Sequence, residues 1–310
     1  MSVVMLFPGQ GSQRAGMLHE LPDHSVIKQT LTEAEDLLQL KIDQLDSEEA
    51  LQTTDHVQMS LCIAGVAVSR ALAAEGVLPD LVAGHSAGAF AAAVASGSLS
   101  FKDALHLTRL RGQLMMEAYP QGYGMGVITG MTQRQVEQIR LSIHSEEHPV
   151  YIANLNAPTQ ITVAGQWQAI DQLLTTCKSK GAHTAKRLNV SVPSHCPLLS
   201  SVSDQLATAL HDMEVSRPLI PYAGNYKGRA IRTAEGIIED LSLNIAHPVR
   251  WHDVTTLFYE LGARLFLEMP PGQVLSGLAS AAFPEARVEA LSSSRLDNAV
   301  ILAKREQDNR

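Results

Sequence analysis

Cysteine is scarce and scattered: Cys62, Cys177 and Cys196 form no C-x-x-C pair among 310 residues. That excludes a disulfide framework and a cysteine-built zinc site, and it points to reduced thiols in a cytoplasmic protein. Positive charge is also in short supply. Against 32 acidic side chains stand 24 basic ones, and the net charge of −8 excludes a protein that grips nucleic acid by its phosphates. Long apolar runs are missing, since the longest stretch free of polar side chains, residues 87–95, is alanine-rich and too short to span a bilayer. Residues 3–7 are apolar but lack a basic flank and run into Pro8-Gly9, so they do not read as a signal peptide. No repeat or low-complexity segment is visible. What remains is a chain with 45% hydrophobic and 18% charged residues and a mean hydropathy of +0.01, a composition that builds a globular core.

The apolar run 3–7, stopped by Pro8-Gly9, predicts a buried strand entering a glycine-rich loop. Val26, Ile27, Leu31, Ala34, Leu37 and Leu38 recur at helical spacing over 25–38, and 60–74 reads as a second, central helix. A brief strand at 81–83 leads into helix 87–95, and another helix starts at Asp103 and ends near Pro120. Strands alternating with helices in this way predict a parallel sheet covered on both faces. Gly122, Gly124 and Gly126 suggest a flexible joint. Beyond it, strand 126–129, helix 133–143, strands 150–153 and 160–163, helix 166–178 and strand 183–189 follow the β-α-β-β-α-β order of a ferredoxin-like module. Helix 198–210, strand 265–268 and helix 275–282 resume the body, and the charged tail from Lys304 is expected to fray. The predicted fold is α/β: a parallel-sheet, α/β-hydrolase-like body over 1–122 and 191–310, with a ferredoxin-like small domain inserted over 123–190. The cleft between the two is the default site.

Gly84-His85-Ser86-Ala87-Gly88 fits G-x-S-x-G between a strand and a helix. A serine on such a turn projects its oxygen clear of the sheet, and the helix start offers the amide of Ala87 to a developing oxyanion. The plainer alternative is an ordinary turn with serine as a helix cap. Gly9-Gln10-Gly11-Ser12-Gln13 fails as a dinucleotide loop because Arg14 stands where a glycine is needed. It can instead present the amide of Gln10 as a second oxyanion donor, or be a structural turn. Of twelve histidines, His85 adjoins Ser86 too closely to reach its hydroxyl, and His195 lies where the small module returns to the body. His247 and His252 come later without comparable context. No aspartate stands out as the acid of a triad. Arg111, on the helix after the serine helix, could clamp a carboxylate in bidentate fashion or could be a solvated surface residue. Arg109, two positions away, faces elsewhere.

Together these segments resemble the malonyl-CoA:acyl carrier protein transacylase family over most of the chain. The matching motifs are Gly9–Gln13, Gly84–Gly88, Arg111-Gly112, Asn156–Gln160, the Ser191–Cys196 stretch and Glu268–Leu275. The resemblance implies Ser86 as nucleophile, His195 as general base, and Arg111 as the binder of a malonate carboxylate. It implies an oxyanion hole from the amides of Gln10 and Ala87, and a backbone carbonyl at Asn244 that orients the histidine in place of a triad acid. It implies no bound cofactor or metal, a CoA thioester as substrate and an acyl carrier protein as partner. Ala87 and Ala89, the stretch 222–230 and the ending near Arg295-Leu296-Asp297 look more like the malonate decarboxylase epsilon subunit. The expected partner is therefore that complex's carrier subunit. The alternatives are the transacylase of fatty-acid synthesis, a serine thioesterase or esterase, and a non-catalytic scaffold. Lys178, Lys180, Lys186 and Arg187, or Lys227, Arg229 and Arg232, are candidates for meeting an acidic carrier.

Overall fold

A computed structural model describes residues 2–308 apart from Pro120, Ser191 and Ser293. The domain junction placed at Ser191 and the helix end placed at Pro120 therefore touch positions outside the described residues. Ten strands divide into two sheets. Along the chain they are β1 (Ser2–Phe7), β2 (Leu81–Gly84), β3 (Tyr123–Thr129), β4 (Val150–Ala157), β5 (Gln160–Gln166), β6 (Thr184–Arg187), β7 (Tyr222–Ala223), β8 (Ala230–Ile231), β9 (Ala263–Glu268) and β10 (Arg287–Ala290).

The body sheet runs β10-β9-β1-β2-β7-β8, parallel except for the short edge strand β8. Its central strand explains the unbroken apolar run at the start of the chain. Val3, Met5 and Phe7 enter one core cluster, while Val4 and Leu6 enter a second on the opposite face. A strand covered on both sides has no polar face to show. β1 and β2 lie side by side in register, Phe7 opposite Gly84, so the glycine loop and the serine turn leave the sheet at the same end. Ligands of open α/β sheets sit at that carboxyl end, where strand order switches direction.

The small sheet runs β4-β5-β3-β6, all antiparallel, which is the ferredoxin-like arrangement. One face packs on helices Gln133–Leu141 and Trp167–Ser179. From the other face Met125, Ala153 and Ala164 meet Cys196 of the body. The module is stitched down as well. Asn154 and Val249 form a parallel bridge, with Leu155 N donating to Val249 O and Val249 N donating to Ala153 O at 2.8 and 2.9 Å.

Several local expectations change. The glycines Gly124 and Gly126 are interior to β3, not a joint. A Cβ at 124 would overlap the indole of Trp167, so that glycine serves close packing. The central helix begins at Thr54, six positions before the predicted start, because its first turns carry polar residues that are nonetheless buried. Helix Phe101–Ala118 begins before Asp103, whose amide donates to the capping Ser100 hydroxyl. The charged tail is helical over Leu296–Asp308, held by Leu302 and Ala303 in the core. Among the described residues Thr54–Ala74 alone is long and apolar enough to cross a membrane, and it is the buried centre of the body.

Candidate active site

The serine turn is built by close approach. A Cβ at Gly84 would collide with the backbone of Gly88, and one at Gly88 with the carbonyls of Phe7 and Pro8. Both glycines let the helix Gly88–Ala95 start directly against the end of β1. Ser86 itself sits at φ 54°, the left-handed region that a side chain rarely adopts, and this turns its hydroxyl off the sheet. Gly9 packs on the carbonyl of His85, which brings the Gln10 loop beside the turn. Neither the Gln10 nor the Ala87 amide donates a hydrogen bond among the described residues.

His195 reaches this turn from the far side of the small module. Its Nε2 lies 2.7 Å from Ser86 Oγ, and its Nδ1 lies 2.6 Å from the carbonyl oxygen of Asn244. A carbonyl only accepts, so Nδ1 carries the proton and Nε2 turns a lone pair toward the hydroxyl. The imidazole is 2% exposed, and its own backbone, at φ 64°, is pinned by a 2.7 Å bond from its amide to Ile245 O. Burial first, and then the nearby positive charge of Arg111, pull His195 down to about 3, with the Asn244 carbonyl resisting. At neutral pH it is an uncharged base. The Asn244 side chain is buried with neither Oδ1 nor Nδ2 bonded among the described residues, so only its main chain engages the histidine. Cys196, next in sequence, is buried with its thiol pushed up to about 12 and is not a nucleophile at neutral pH.

Arg111 is 1% exposed and pairs with no carboxylate among the described residues. Its Nη1 donates to Gln58 Oε1 at 2.7 Å, its Nη2 donates to Ser86 Oγ at 3.3 Å, and its Nε has no partner among the described residues. Gly112 makes the placement possible. A side chain there would strike the backbone of Asp55, so the bare position lets helix Phe101–Ala118 close on helix Thr54–Ala74. Desolvation pulls the Arg111 guanidinium down to about 9, still protonated at neutral pH. Arg109 is exposed, as its two-residue offset requires.

Three residues of the site received no role from the sequence, although Asn156 opens the Asn156–Gln160 motif and Asn225 lies within the stretch 222–230. Gln58 supports Arg111. Asn225 accepts a bond from Ser86 N and donates to Gly84 O, both at 2.9 Å. Asn156, on the β4–β5 hairpin, lies 3.0 Å from His85 Nε2 and ties the small module to the serine turn. No spacing rule links positions so far apart in the chain. His85 is thus occupied away from the Ser86 hydroxyl, while His247 lies tilted against the Tyr226 ring and His252 lines an outer groove. Of the basic candidates, Arg187 is paired with Asp171 and Lys227 with Glu239. A cavity of about 460 Å³ opens beside the turn, lined from the body by Gln10, His85 and Leu275 and from the module by Asn154, Asn156 and Thr162. It shares Gln160, Val274 and Leu278 with a groove of about 750 Å³ that leads outward.

A hydroxyl on a tight turn, a neutral imidazole and an unpaired buried cation are the parts of an acyl-transfer site for an anionic acyl group. An acyl transferase domain model matches residues 4–308. The malonyl CoA-acyl carrier protein transacylase of Bacillus subtilis is 34% identical over 99% of this chain and 99% of its own length. The chain belongs to the malonyl-CoA:acyl carrier protein transacylase family. The Haemophilus influenzae transacylase is 36% identical over 88% of this chain and 90% of its own. Among solved structures, the Coxiella burnetii transacylase superposes with a TM-score of 0.93, at 34% identity and 98% coverage of both chains. A malonyl-transacylase solved with a type II PKS acyl-carrier protein superposes at 0.92, with 35% identity over 99% of this chain and 100% of that one. These matches correct the subfamily expectation. They are malonyl-CoA:acyl carrier protein transacylases over nearly their whole length, and none points to a malonate decarboxylase epsilon subunit. Ala87 and Ala89, the stretch 222–230 and the ending near Arg295-Leu296-Asp297, which prompted that expectation, are local features and do not outweigh agreement over nearly the whole chain.

Proposed function

We propose that this transacylase moves a malonyl group from malonyl-CoA, through an ester on Ser86, to the prosthetic thiol of an acyl carrier protein. The role in fatty-acid synthesis, weighed above as an alternative, is the better supported by the relatives. One observation carries the reading: a buried guanidinium with no counter-ion among the described residues, 3.3 Å from the serine oxygen. A buried charge without a partner is costly unless a ligand completes it, and a malonyl carboxylate is such a ligand. An acetyl group is not, so the same arginine confers selectivity.

In the first half-reaction Ser86 Oγ attacks the thioester carbonyl and its proton passes to His195 Nε2. The Asn244 carbonyl holds the imidazole in the required tautomer, and the Gln10 and Ala87 amides receive the oxyanion. Collapse breaks the C–S bond, and the departing CoA sulfur takes the proton from His195. The carrier thiol then gives its proton to Nε2 and attacks the malonyl ester, the C–O bond to Ser86 breaks, and His195 returns the proton to Ser86 Oγ. Body segments 1–122 and 191–310 supply these groups, and the module 123–190 roofs the cleft. The outer groove of about 750 Å³ is the path by which the arm of either thiol reaches the turn.

Intact mass after malonyl-CoA addition tests this. The expected product without a carrier is a persistent malonyl adduct that maps to Ser86 and discharges on adding holo carrier. Rapid hydrolysis without a carrier would instead identify a thioesterase.

A further inference from the structure

We infer that Asn225 is a positioning residue of the transfer reaction, a two-point clasp that holds the serine turn in its left-handed, reactive shape. The inference rests on Ser86 being the nucleophile. Asn225 comes from the loop between β7 and β8, 139 residues away from Ser86, and is 1% exposed. Its carboxamide spends both ends on one turn. Oδ1 accepts the Ser86 amide at 2.9 Å, and Nδ2 donates to the Gly84 carbonyl at 2.9 Å. An amide N–H only donates and a carbonyl only accepts, so the orientation of the carboxamide is fixed by its partners.

The turn needs such a clasp. Ser86 lies at φ 54°, a conformation that persists only where its surroundings over-determine it. Helix Gly88–Ala95 starts two residues later and gives no partner to the Ser86 amide. Without Asn225 that amide would be buried and unbonded, and the turn could relax toward ordinary backbone, swinging Oγ away from His195 and Arg111. Asn225 is itself clamped. Its carbonyl accepts from Arg250 N at 2.8 Å, and the buried Asp240 behind the loop takes bonds from Tyr222 Oη at 2.9 Å and from Tyr226 N at 3.3 Å. The loop is thus braced so that the carboxamide meets the turn with little freedom.

Asn225→Ala and Asn225→Asp test the clasp, with melting temperature, the pre-steady-state rate of Ser86 malonylation and KM for malonyl-CoA as readouts. Folded Asn225→Ala should acylate about a hundredfold more slowly, the effect of misplacing a reacting atom by about an ångström. Its KM should stay within about threefold, because the Arg111 pocket is untouched. An acylation rate within that same margin, or a loss confined to KM, would overturn the inference.

Asn225→Asp keeps the acceptor but donates to Gly84 only when its carboxyl is protonated. Its rate relative to the parent should therefore rise as pH falls. The ratio cancels the titrations of Asp240, Tyr222, Tyr226, His85, His195 and Arg111, which face the turn and its clasp in both proteins. A ratio flat with pH would count against the clasp, and it decides the matter if Asn225→Ala fails to fold. If neither variant folds, Asn225 belongs to the scaffold and the positioning role is wrong. Should the parent form no malonyl-Ser86 ester, the proposed function fails first, so the two failures are distinguishable.

Discussion

Two arginines show how differently this chain uses one side chain. Arg187, on the outer face of the small module, is half exposed, paired with Asp171 and laid over the Trp167 ring at 4.3 Å. Its Nε and Nη2 donate to the Asp171 carboxylate, and neither Asp171 nor Trp167 has a part in the reaction. Arg111, beside Ser86, is buried, held by the Gln58 amide and the Ser86 hydroxyl and left without an anion among the described residues. The module's charge is neutralised where it stands, as surface charges usually are. The body's charge is held in reserve. An unbalanced cation inside a protein destabilises the fold, and its persistence points to a bound state in which it is balanced.

Removing Arg111 is the strongest way to break this contrast. Arg111→Ala should lower kcat/KM for malonyl-CoA by about a thousandfold while leaving acetyl transfer little changed or improved, because a site built around a polar group discriminates strongly for it. Steady-state rates with the two thioesters decide this, and an intact malonyl preference would mean that the carboxylate binds elsewhere. Gly112→Val should push the two helices apart at Asp55, costing about 1–3 kcal/mol of stability and part of the malonyl selectivity. Denaturant melts and the same pair of substrates read it out.

Replacing the charge with a flexible apolar chain, Arg111→Met, should stabilise the protein by at least about 1 kcal/mol while destroying selectivity, the trade expected where function holds an unfavourable group in place. Acid response sharpens the contrast further. With His195 held near 3, the kcat/KM of the parent should show no inflection through the ordinary histidine value of 6.5. In Arg111→Ala the like charge is gone, so His195 should titrate higher and an acid limb should move up in pH. The stability linkage has the same origin. His195 is depressed in the folded state, so its contribution is present above 6.5 and is lost as pH falls toward 3. The smallest effect belongs to the other arginine: Arg187→Ala should cost at most about 1 kcal/mol and leave selectivity unchanged. A large loss of carrier transfer there would make that exposed face a docking surface.

Much of this was legible in sequence, for identifiable reasons. The serine turn, the Gln10 loop and the Arg111-Gly112 pair each compress their requirement into a few neighbouring residues, so local pattern exposes them. The β-α-β-β-α-β order was readable because its helices and its first three strands are long enough to show a period, whereas β6 is four residues without alternating burial. β7 and β8 are two residues each and show none. The glycines of β3 misled because a missing side chain looks the same whether it serves flexibility or admits an indole. Gln58, Asn225 and Asn156 act across 53, 139 and 71 positions of chain, respectively, so only the folded arrangement brings them to the site.

The stretch from Asn244 to Val249 has two duties that are usually separate. At one end its carbonyls fix the imidazole, and at the other it lends a rung to β4 of the roof. Six residues are too few to absorb a displacement without passing it on. A displacement of the roof would therefore be passed along the same short tether that aims the imidazole at Ser86.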